Sequence, residues 1–217
     1  MPYECAGAPR KFPPAAWRSC DCRTLHGVDE LTRLARAAGR SDTAAFAMLI
    51  QRTQSDVWRL CAHLVDPAAA DDLAQDTYLR AIGALKGFRG DAPVRTWLLT
   101  IARRVCAAEI GARLRDRQLA TRLAAMPQAG LGQAPEAGSR AAVAQLIAGL
   151  EPDRRAAFVL TQMIGCSYAE TAAICDCPVG TIRSRVARAR EDLIAMTAEP
   201  GELPTGEGTQ SATSTHG

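Results

Sequence analysis

The chain has 217 residues, of which 47% are hydrophobic, and a formal net charge of +3. This length suits one large domain or two small ones. The sequence contains no apolar run of the roughly 18 residues needed to span a membrane, and its first 25 residues hold four prolines and no apolar signal core. A membrane protein and an exported protein are therefore not expected, and we expect a cytoplasmic one.

Helical periodicity begins after an irregular N-terminal arm, residues 1–27. Aromatic residues are only 5% of the chain, whereas Ala and Leu are abundant, which favours helices over strands. Apolar residues then recur at spacings of three and four from Val28 onward. We predict four helices: one from Val28, one over about 42–65, one from about Ala70, and one over about 94–114. They would form one compact domain, residues 28–117.

A second, smaller helical domain is predicted after a linker. Residues 127–139 are rich in Pro, Gly, Gln and Ala, a composition typical of linkers, and we set the flexible linker at residues 118–140. Helical periodicity resumes over residues 141–197, and residues 198–217 have the composition of a disordered tail. The predicted fold class is all-α, with two small helical domains joined by a flexible linker.

The second domain contains the pattern of a helix-turn-helix. Ser167-Tyr168-Ala169-Glu170 is a capping box, which predicts a helix start at that point. A short helix, a turn at Asp176-Cys177 and a second helix through Arg190 would follow, and four arginines lie in 181–190 without an acidic residue. A second helix with a basic outer face is the arrangement that enters the DNA major groove. The alternative is a solvated Arg-rich helix of an ordinary bundle.

Periodicity also separates the two sides of that second helix. One side is a predicted buried stripe made of Ile182, Val186, Ala189 and Leu193. The opposite side would face solvent or DNA and consists of Arg183, Ser184, Ala187 and Arg188.

The segment Cys177–Arg190 resembles region 4 of the extracytoplasmic-function sigma factors, as do 150–155 and the capping box. The resemblance implies that the outer side of the second helix faces the promoter −35 element. Gly180 and Thr181 would lie near the DNA backbone. Ala187 would offer only a methyl contact. Within the family, the sequence most resembles the sigma-C-like group of mycobacteria.

The stretch Asp71–Ala81 resembles region 2.2 of the same family, which docks on the β′ coiled coil of RNA polymerase. Four Asp and no basic residue lie between Asp66 and Asp76, and an acidic face suits a basic protein partner rather than DNA. The expected docking side chains are Asp72, Gln75, Asp76 and Arg80. The residues expected to pack inward are Leu73, Tyr78, Leu79 and Ile82.

The segments 88–91 and 95–104 resemble regions 2.3 and 2.4, which hold the unpaired −10 strand. Residues 86–122 contain nine basic and three acidic residues, a local balance of +6, and a basic groove suits a single strand. The candidate −10 contacts are Arg89, Arg95, Arg103, Arg104, Arg113 and Arg115. Trp97 is predicted to be a core residue rather than a stacking platform. Arg104, Ala108 and Gly111-Ala112 depart from the family, which commonly has Asn, Asp and a basic pair there.

The resemblance implies a sigma factor that binds core RNA polymerase through the β′ coiled coil and the β flap. It would recognise both promoter elements, as duplex and as single strand, and promote strand opening without being an enzyme. An anti-sigma partner would also fit, whereas no membrane contact and no cofactor are predicted. Two alternatives remain open: a helix-turn-helix regulator that does not join polymerase, and a protein-interaction adaptor.

Eight cysteines are present, and in a cytoplasmic chain they need not be paired. Cys61 and Cys106 lie in apolar helical patterns and are predicted core residues. Cys20, Cys22 and His26 supply donors that suit Zn or Cu(I), but their spacing differs from known zinc frameworks. We therefore predict no metal site and keep these three only as weak candidates.

Overall fold

The computed structural model of the chain describes residues 25–123 and 140–197, and every regular element in these ranges is helical. The first range forms α1 (Leu25–Gly39), α2 (Thr43–Leu64), α3 (Ala70–Leu85) and α4 (Val94–Leu123). The second forms α5 (Arg140–Gly149), α6 (Pro152–Phe158), a π-helical turn (Val159–Met163), α7 (Tyr168–Cys175) and α8 (Val179–Thr197). The predicted all-α class is confirmed.

Helices α1–α4 pack as one bundle around large side chains from α2 and α4. Leu49, Leu60, Leu98 and Leu99 are each at most 1% exposed, and burying a Leu side chain contributes about 1.5–3 kcal/mol. The start of α2 is fixed by Asp42, whose carboxylate accepts a hydrogen bond from the Ala45 amide at 2.9 Å. Such a cap provides a hydrogen-bond acceptor for one of the first amides of the helix, which have no carbonyl partner within the helix itself.

Two helices of the first domain are longer than predicted from the sequence, which placed the start of the first at Val28 and the end of the fourth near residue 114. Helix α1 starts at Leu25, inside the predicted arm, and α4 continues to Leu123, past the predicted linker start at residue 118. Residues 114–121 are exposed, so apolar periodicity fades there, but the sequence has no Pro or Gly before Pro127 to stop the helix. Residues 1–24, 124–139 and 198–217 lie outside the described residues, and so do the predictions made for them.

The second domain is built on two side-chain caps and one irregular turn. Glu151 caps α6 by accepting from the amides of Asp153 and Arg154. The predicted capping box at α7 is confirmed, with Ser167 Oγ accepting from the Glu170 amide at 3.2 Å and Glu170 Oε2 accepting from the Ser167 amide at 2.8 Å. The π-helical turn was not predicted.

The two domains pack directly against each other. Helix α7 lies on α4, while α5, α6 and the π-helical turn contact α2. Buried side chains of both domains therefore form one continuous apolar cluster. Across the described ranges, no helix is both long enough and apolar enough to cross a membrane.

Candidate nucleic-acid and polymerase interfaces

Helices α7 and α8 form the predicted helix-turn-helix. Asp176 joins them in the left-handed conformation, with φ of +53°, and its amide closes α7 by donating to the Ala172 and Ala173 carbonyls. Cys175, the last residue of α7, is buried at 6% exposure. Burial raises the pKa of its thiol to about 11, so this cysteine is a packing residue at neutral pH.

The two sides of α8 are arranged as its periodicity predicts. Ile182, Val186 and Ala189 are at most 1% exposed, whereas Leu193, the fourth residue of the predicted buried stripe, is only half-buried. The candidate −35 residues lie on the outer side: Gly180, Arg183, Ser184, Ala187 and Arg188 are exposed, and Thr181 is half-buried. The structure therefore gathers these six residues on one accessible surface, which we call the reading face.

The other two arginines of α8 point away from the reading face and stabilise the domain. Arg185 forms an ion pair with Asp153 at the start of α6, and its Nη1 lies 3.6 Å from Cys177 Sγ. Arg190 donates to Gln162 Oε1 at 2.8 Å. Sequence alone treats the four arginines as one basic group, whereas the structure divides them into two pairs.

The outer side of α3 carries the predicted docking residues together with exposed apolar side chains. Asp72, Gln75 and Arg80 are exposed, and Arg80 pairs with Asp76 at 2.8 Å. The prediction that Leu79 and Ile82 pack inward is wrong, because they are 63% and 46% exposed. We call these six residues the docking face.

The phase of α3 explains why those two apolar residues are exposed. The core-facing positions Leu73, Thr77, Ala81 and Leu85 repeat every four residues, and Tyr78 lies beside them. Thr77 can occupy a buried position because its hydroxyl donates to the Leu73 carbonyl at 2.7 Å. Ala81, a small residue, and Thr77, a polar residue whose hydroxyl has a partner within α3, therefore lie in the core. Hydrophobicity alone would have placed Leu79 and Ile82 there instead.

Tyr78 fixes the docking face to the core of the first domain. Its hydroxyl lies 2.8 Å from Thr53 Oγ1, which in turn donates to the Leu49 carbonyl at 2.7 Å. Burial raises the pKa of Tyr78 to about 12, so the phenol is protonated at neutral pH. Since the Thr53 proton is committed to Leu49, the Tyr78 hydroxyl is the donor to Thr53.

The six candidate −10 arginines do not form a single open groove. Arg89, Arg104 and Arg115 are exposed. Arg113 is held by Asp66 and, at 2.6 Å, by Glu109. The last two, Arg95 and Arg103, face the second domain.

Trp97 belongs to the packing of the first domain. It is half-buried, and its ring centroid lies 5.3 Å from that of Phe88 in a tilted arrangement. Such pairing of aromatic rings contributes to packing beyond the buried area. The prediction of a core role is thus supported by its position, and the ring closes the end of α4 next to the loop before it.

The cysteine predictions divide between described and undescribed residues. Cys61 and Cys106 are fully buried on α2 and α4, as predicted. Cys20 and Cys22 lie outside the described residues, as does the side chain of His26. Among the side chains that are described, no group of three or more His, Cys, Asp or Glu is placed to hold a metal ion.

Comparison with protein families assigns each domain. Residues 49–118 match the model of sigma-70 region 2, and residues 140–193 match that of sigma-70 region 4. The probable RNA polymerase sigma-C factor of Mycobacterium bovis is 47% identical over 191 residues, covering 83% of this chain and 97% of that protein. This chain is an extracytoplasmic-function (ECF) sigma factor of the sigma-70 family.

Other ECF sigma factors are similar over most of the chain. The ECF RNA polymerase sigma-E factor of Escherichia coli is 34% identical over 165 residues, covering 70% of this chain and 86% of that protein. Among solved structures, the sigma factor RpoE bound to the anti-sigma factor NepR, from Bartonella quintana, matches with a TM-score of 0.59 and 28% identity, covering 70% of this chain and 95% of that one. CnrH, in complex with the cytosolic domain of CnrY, matches with the same TM-score, 27% identity, and coverage of 78% and 96%.

The positions at which this sigma factor departs from the family pattern are accessible. Arg104 and Ala108 are exposed on α4, and Gly111 and Ala112 are half-buried one turn further on. Their side chains are not core residues, so packing does not explain the departures. All lie on α4, which carries five of the six candidate −10 arginines, including Arg104 itself.

Proposed function

We propose that this ECF sigma factor carries RNA polymerase to promoters by reading the −35 element with α8 and holding the −10 strand with α4. It would act in the cytoplasm by binding alone, without catalysing a reaction. The observation that carries this proposal is the coexistence of two unlike surfaces on one chain. A basic reading face suits DNA, whereas an acidic and apolar docking face suits a protein partner.

The reading face supports contact with duplex DNA. Arg183 and Arg188 are five residues apart on an exposed side of α8, and no carboxylate lies between them in the sequence. A guanidinium can donate two parallel hydrogen bonds to a guanine edge, which contributes about 1–3 kcal/mol of discrimination. Ser184 and Ala187 between them are short enough to let the helix approach the base edges.

The docking face supports binding to polymerase rather than to DNA. Asp72 and Asp76 would repel phosphates but attract a basic helix such as that proposed on the β′ subunit. Leu79 and Ile82 add exposed apolar area beside these charges. An apolar centre with a charged rim is the usual composition of a protein–protein interface.

The −10 contacts are proposed for the exposed arginines of the first domain, chiefly Arg89, Arg104 and Arg115, with Arg95 and Arg103 joining them when the second domain moves away. The second domain would also contact the β flap. Because the similar sigma factor RpoE of Bartonella quintana is bound to the anti-sigma factor NepR in its solved structure, a partner of that kind is proposed here as well.

The test is run-off transcription with purified core polymerase and a library of genomic promoters. The chain should confer promoter-specific initiation on sigma-free core enzyme. An Arg188→Ala variant should lose about 10-fold or more of promoter affinity, the loss of one forked guanine contact. The matched control is Arg190→Ala on the same helix, which should change affinity little because its side chain is directed to Gln162.

Two results would contradict the proposal. A chain that binds promoter DNA but does not co-purify with core polymerase would be a helix-turn-helix regulator. A chain that binds core polymerase but shows no sequence preference for DNA would be an adaptor.

A further inference from the structure

Two cysteines of the first domain lie next to each other in its core. Cys61 on α2 and Cys106 on α4 are free thiols with 0% exposure, and both belong to the same apolar cluster. Their thiols share a hydrogen bond. We call this pair the core dithiol.

Two ion pairs fix the position of α2 against α4 on either side of the core dithiol. Arg95 of α4 binds Asp56 of α2 at 2.7 Å. Further along both helices, Arg113 binds Asp66, which follows the end of α2. Cys61 is midway between the two aspartates in the sequence, and its partner cysteine lies between the two arginines. Because the helices are held at both ends, the two sulfur atoms face each other on rigid elements.

A cavity of about 80 Å³ borders the core dithiol. Its wall includes Cys106 together with Leu64, which lies one turn after Cys61. Arg103 and Arg155 bring guanidinium groups to the same wall. A cavity needs roughly 10–15 Å³ to admit one water molecule, so a small polar oxidant such as hydrogen peroxide fits in this space. A molecule as large as a tripeptide thiol does not.

The hydrogen bond makes the two sulfurs chemically unequal. It lowers the pKa of the Cys61 thiol, although burial opposes ionisation there. The same hydrogen bond raises the pKa of Cys106, and burial adds to that effect. Since the thiolate and not the thiol reacts as a nucleophile, Cys61 is the sulfur that attacks first and Cys106 is the one that follows.

We propose that the core dithiol is a site of oxidation by peroxide, at which Cys61 and Cys106 form a disulfide that ties α2 to α4. The Cys61 thiolate attacks one peroxide oxygen, so that an S–O bond forms, the O–O bond breaks and hydroxide leaves. The Cys106 sulfur then displaces hydroxide from the sulfenic acid and forms the S–S bond. The two hydroxides take up the two thiol protons. Two thiols thereby lose two electrons, and one hydrogen peroxide becomes two water molecules.

The buried position of the pair sets the rate of this reaction. Neither sulfur is exposed, so peroxide reaches it only when the wall of the cavity opens transiently. The reaction is therefore slower than at a surface cysteine. It nevertheless proceeds in the folded chain, because the cavity already lies beside the pair and global unfolding is not required.

The disulfide encloses the helix that carries the docking face. Residues 61–106 contain all of α3 and the loop between α3 and α4. A cross-link around such a loop stabilises the folded chain, chiefly by restricting the unfolded one. In a compartment that keeps thiols reduced, the pair rests as a dithiol. The first domain then becomes harder to unfold when peroxide is present, a property that requires neither polymerase nor DNA.

The experiment treats the folded, full-length chain with hydrogen peroxide. The remaining thiols are then blocked with iodoacetamide in denaturant, and the chain is digested with trypsin without reduction. Cys61 and Cys106 each lie alone in one tryptic peptide, residues 60–80 and residues 105–113, so a disulfide between them gives one mass that a reductant splits. Cys61→Val and Cys106→Val are matched controls, because Val fills a similar volume in the core and cannot form the bond.

Peptides 60–80 and 105–113 should be linked in the oxidised chain and separate in both Val variants. The urea midpoint of the oxidised chain should rise by roughly 1–2 M and return to its starting value when a reductant is added during unfolding. Peroxide should not raise the midpoint of either variant. Cys166 is an internal control: it is 6% exposed and has the Arg95 guanidinium, not a thiol, beside its sulfur, so it should remain open to alkylation in denaturant.

Three results would refute parts or all of this proposal. If both cysteines are still alkylated after peroxide treatment, the core dithiol is not an oxidation site. If either cysteine is linked instead to the tryptic peptide 156–183, the reaction requires an unfolded chain and the proposed geometry is wrong. A linked chain with an unchanged urea midpoint rules out the stabilising effect. Because peptide mapping uses no polymerase and no promoter, its outcome is independent of run-off transcription, which tests the proposed function.

Discussion

The hydrogen bond between Tyr78 and Thr53 links the docking face to the core and has an assigned direction. Tyr78 donates to Thr53 at 2.8 Å, and the Thr53 hydroxyl donates to the Leu49 carbonyl. Removing the acceptor and removing the donor should therefore have unequal effects on the free energy of unfolding. Both side chains are buried, at 2% exposure for Thr53 and 8% for Tyr78, so water cannot replace a lost partner in the folded chain.

The magnitudes follow from which group is left without a partner. Tyr78→Phe leaves Thr53 with its own donation intact and should lower the free energy of unfolding by about 0.5–1.5 kcal/mol, as for a typical hydrogen bond. Thr53→Val leaves the Tyr78 hydroxyl buried without an acceptor and should cost about 1–3 kcal/mol. In the double variant, Val and Phe replace both polar groups, so it should be no less stable than Thr53→Val, with a coupling of about 1 kcal/mol.

Urea unfolding of the full-length chain, followed by far-UV circular dichroism, measures these differences. The dependence of unfolding on urea concentration should be equal in all four proteins, which confirms that only stability has changed. A Tyr78→Phe variant that is less stable than Thr53→Val would refute the donor assignment. Strictly additive effects would show that the two hydroxyls do not interact.

Three further predictions concern the caps, the pH dependence and the docking face. Ser167→Ala should lower the free energy of unfolding by about 1 kcal/mol, because the Glu170 amide loses its side-chain acceptor. Ser167→Asp should keep most of the stability of the unmodified chain, because Asp is also a good N-cap residue. The urea midpoints of the three proteins measure the difference. The hydrogen bond from Arg113 lowers the pKa of Asp66, so the folded state favours the carboxylate. The ionised Asp66 carboxylate therefore stabilises the folded chain above its ordinary pKa, and this stabilisation is lost as the pH falls through the lowered pKa of the folded state. In the Asp66→Asn variant, the urea midpoint should depend less on pH over that acid range. An unchanged pH dependence of the midpoint would contradict the assignment. Leu79→Asp should weaken core polymerase binding in a pull-down titration while leaving the unfolding midpoint almost unchanged, because the side chain is 63% exposed.

The sequence by itself determined the features that depend on neighbours a few residues apart. The capping box requires only Ser167 and Glu170 at the right spacing, and the division of α8 into a buried stripe and a reading face follows from the 3.6-residue period. The family resemblance rests on the same local segments, which is why family membership was predicted and confirmed. The extent of α4 as far as Leu123 was a local feature that the pattern misplaced, because no Pro or Gly in residues 112–126 marks a helix end.

Only the tertiary structure decided which partner each charged or apolar side chain would have. Arg95 meets Ile164 across 69 positions of the chain, and Arg185 meets Asp153 across 32. A guanidinium has the same sequence signature whether it faces DNA, a carboxylate or a carbonyl. Its role is set by which elements the folded chain brings within hydrogen-bonding distance, and helical periodicity carries no information about that. For the same reason, the direct packing of the two domains against each other could be found only from the folded chain.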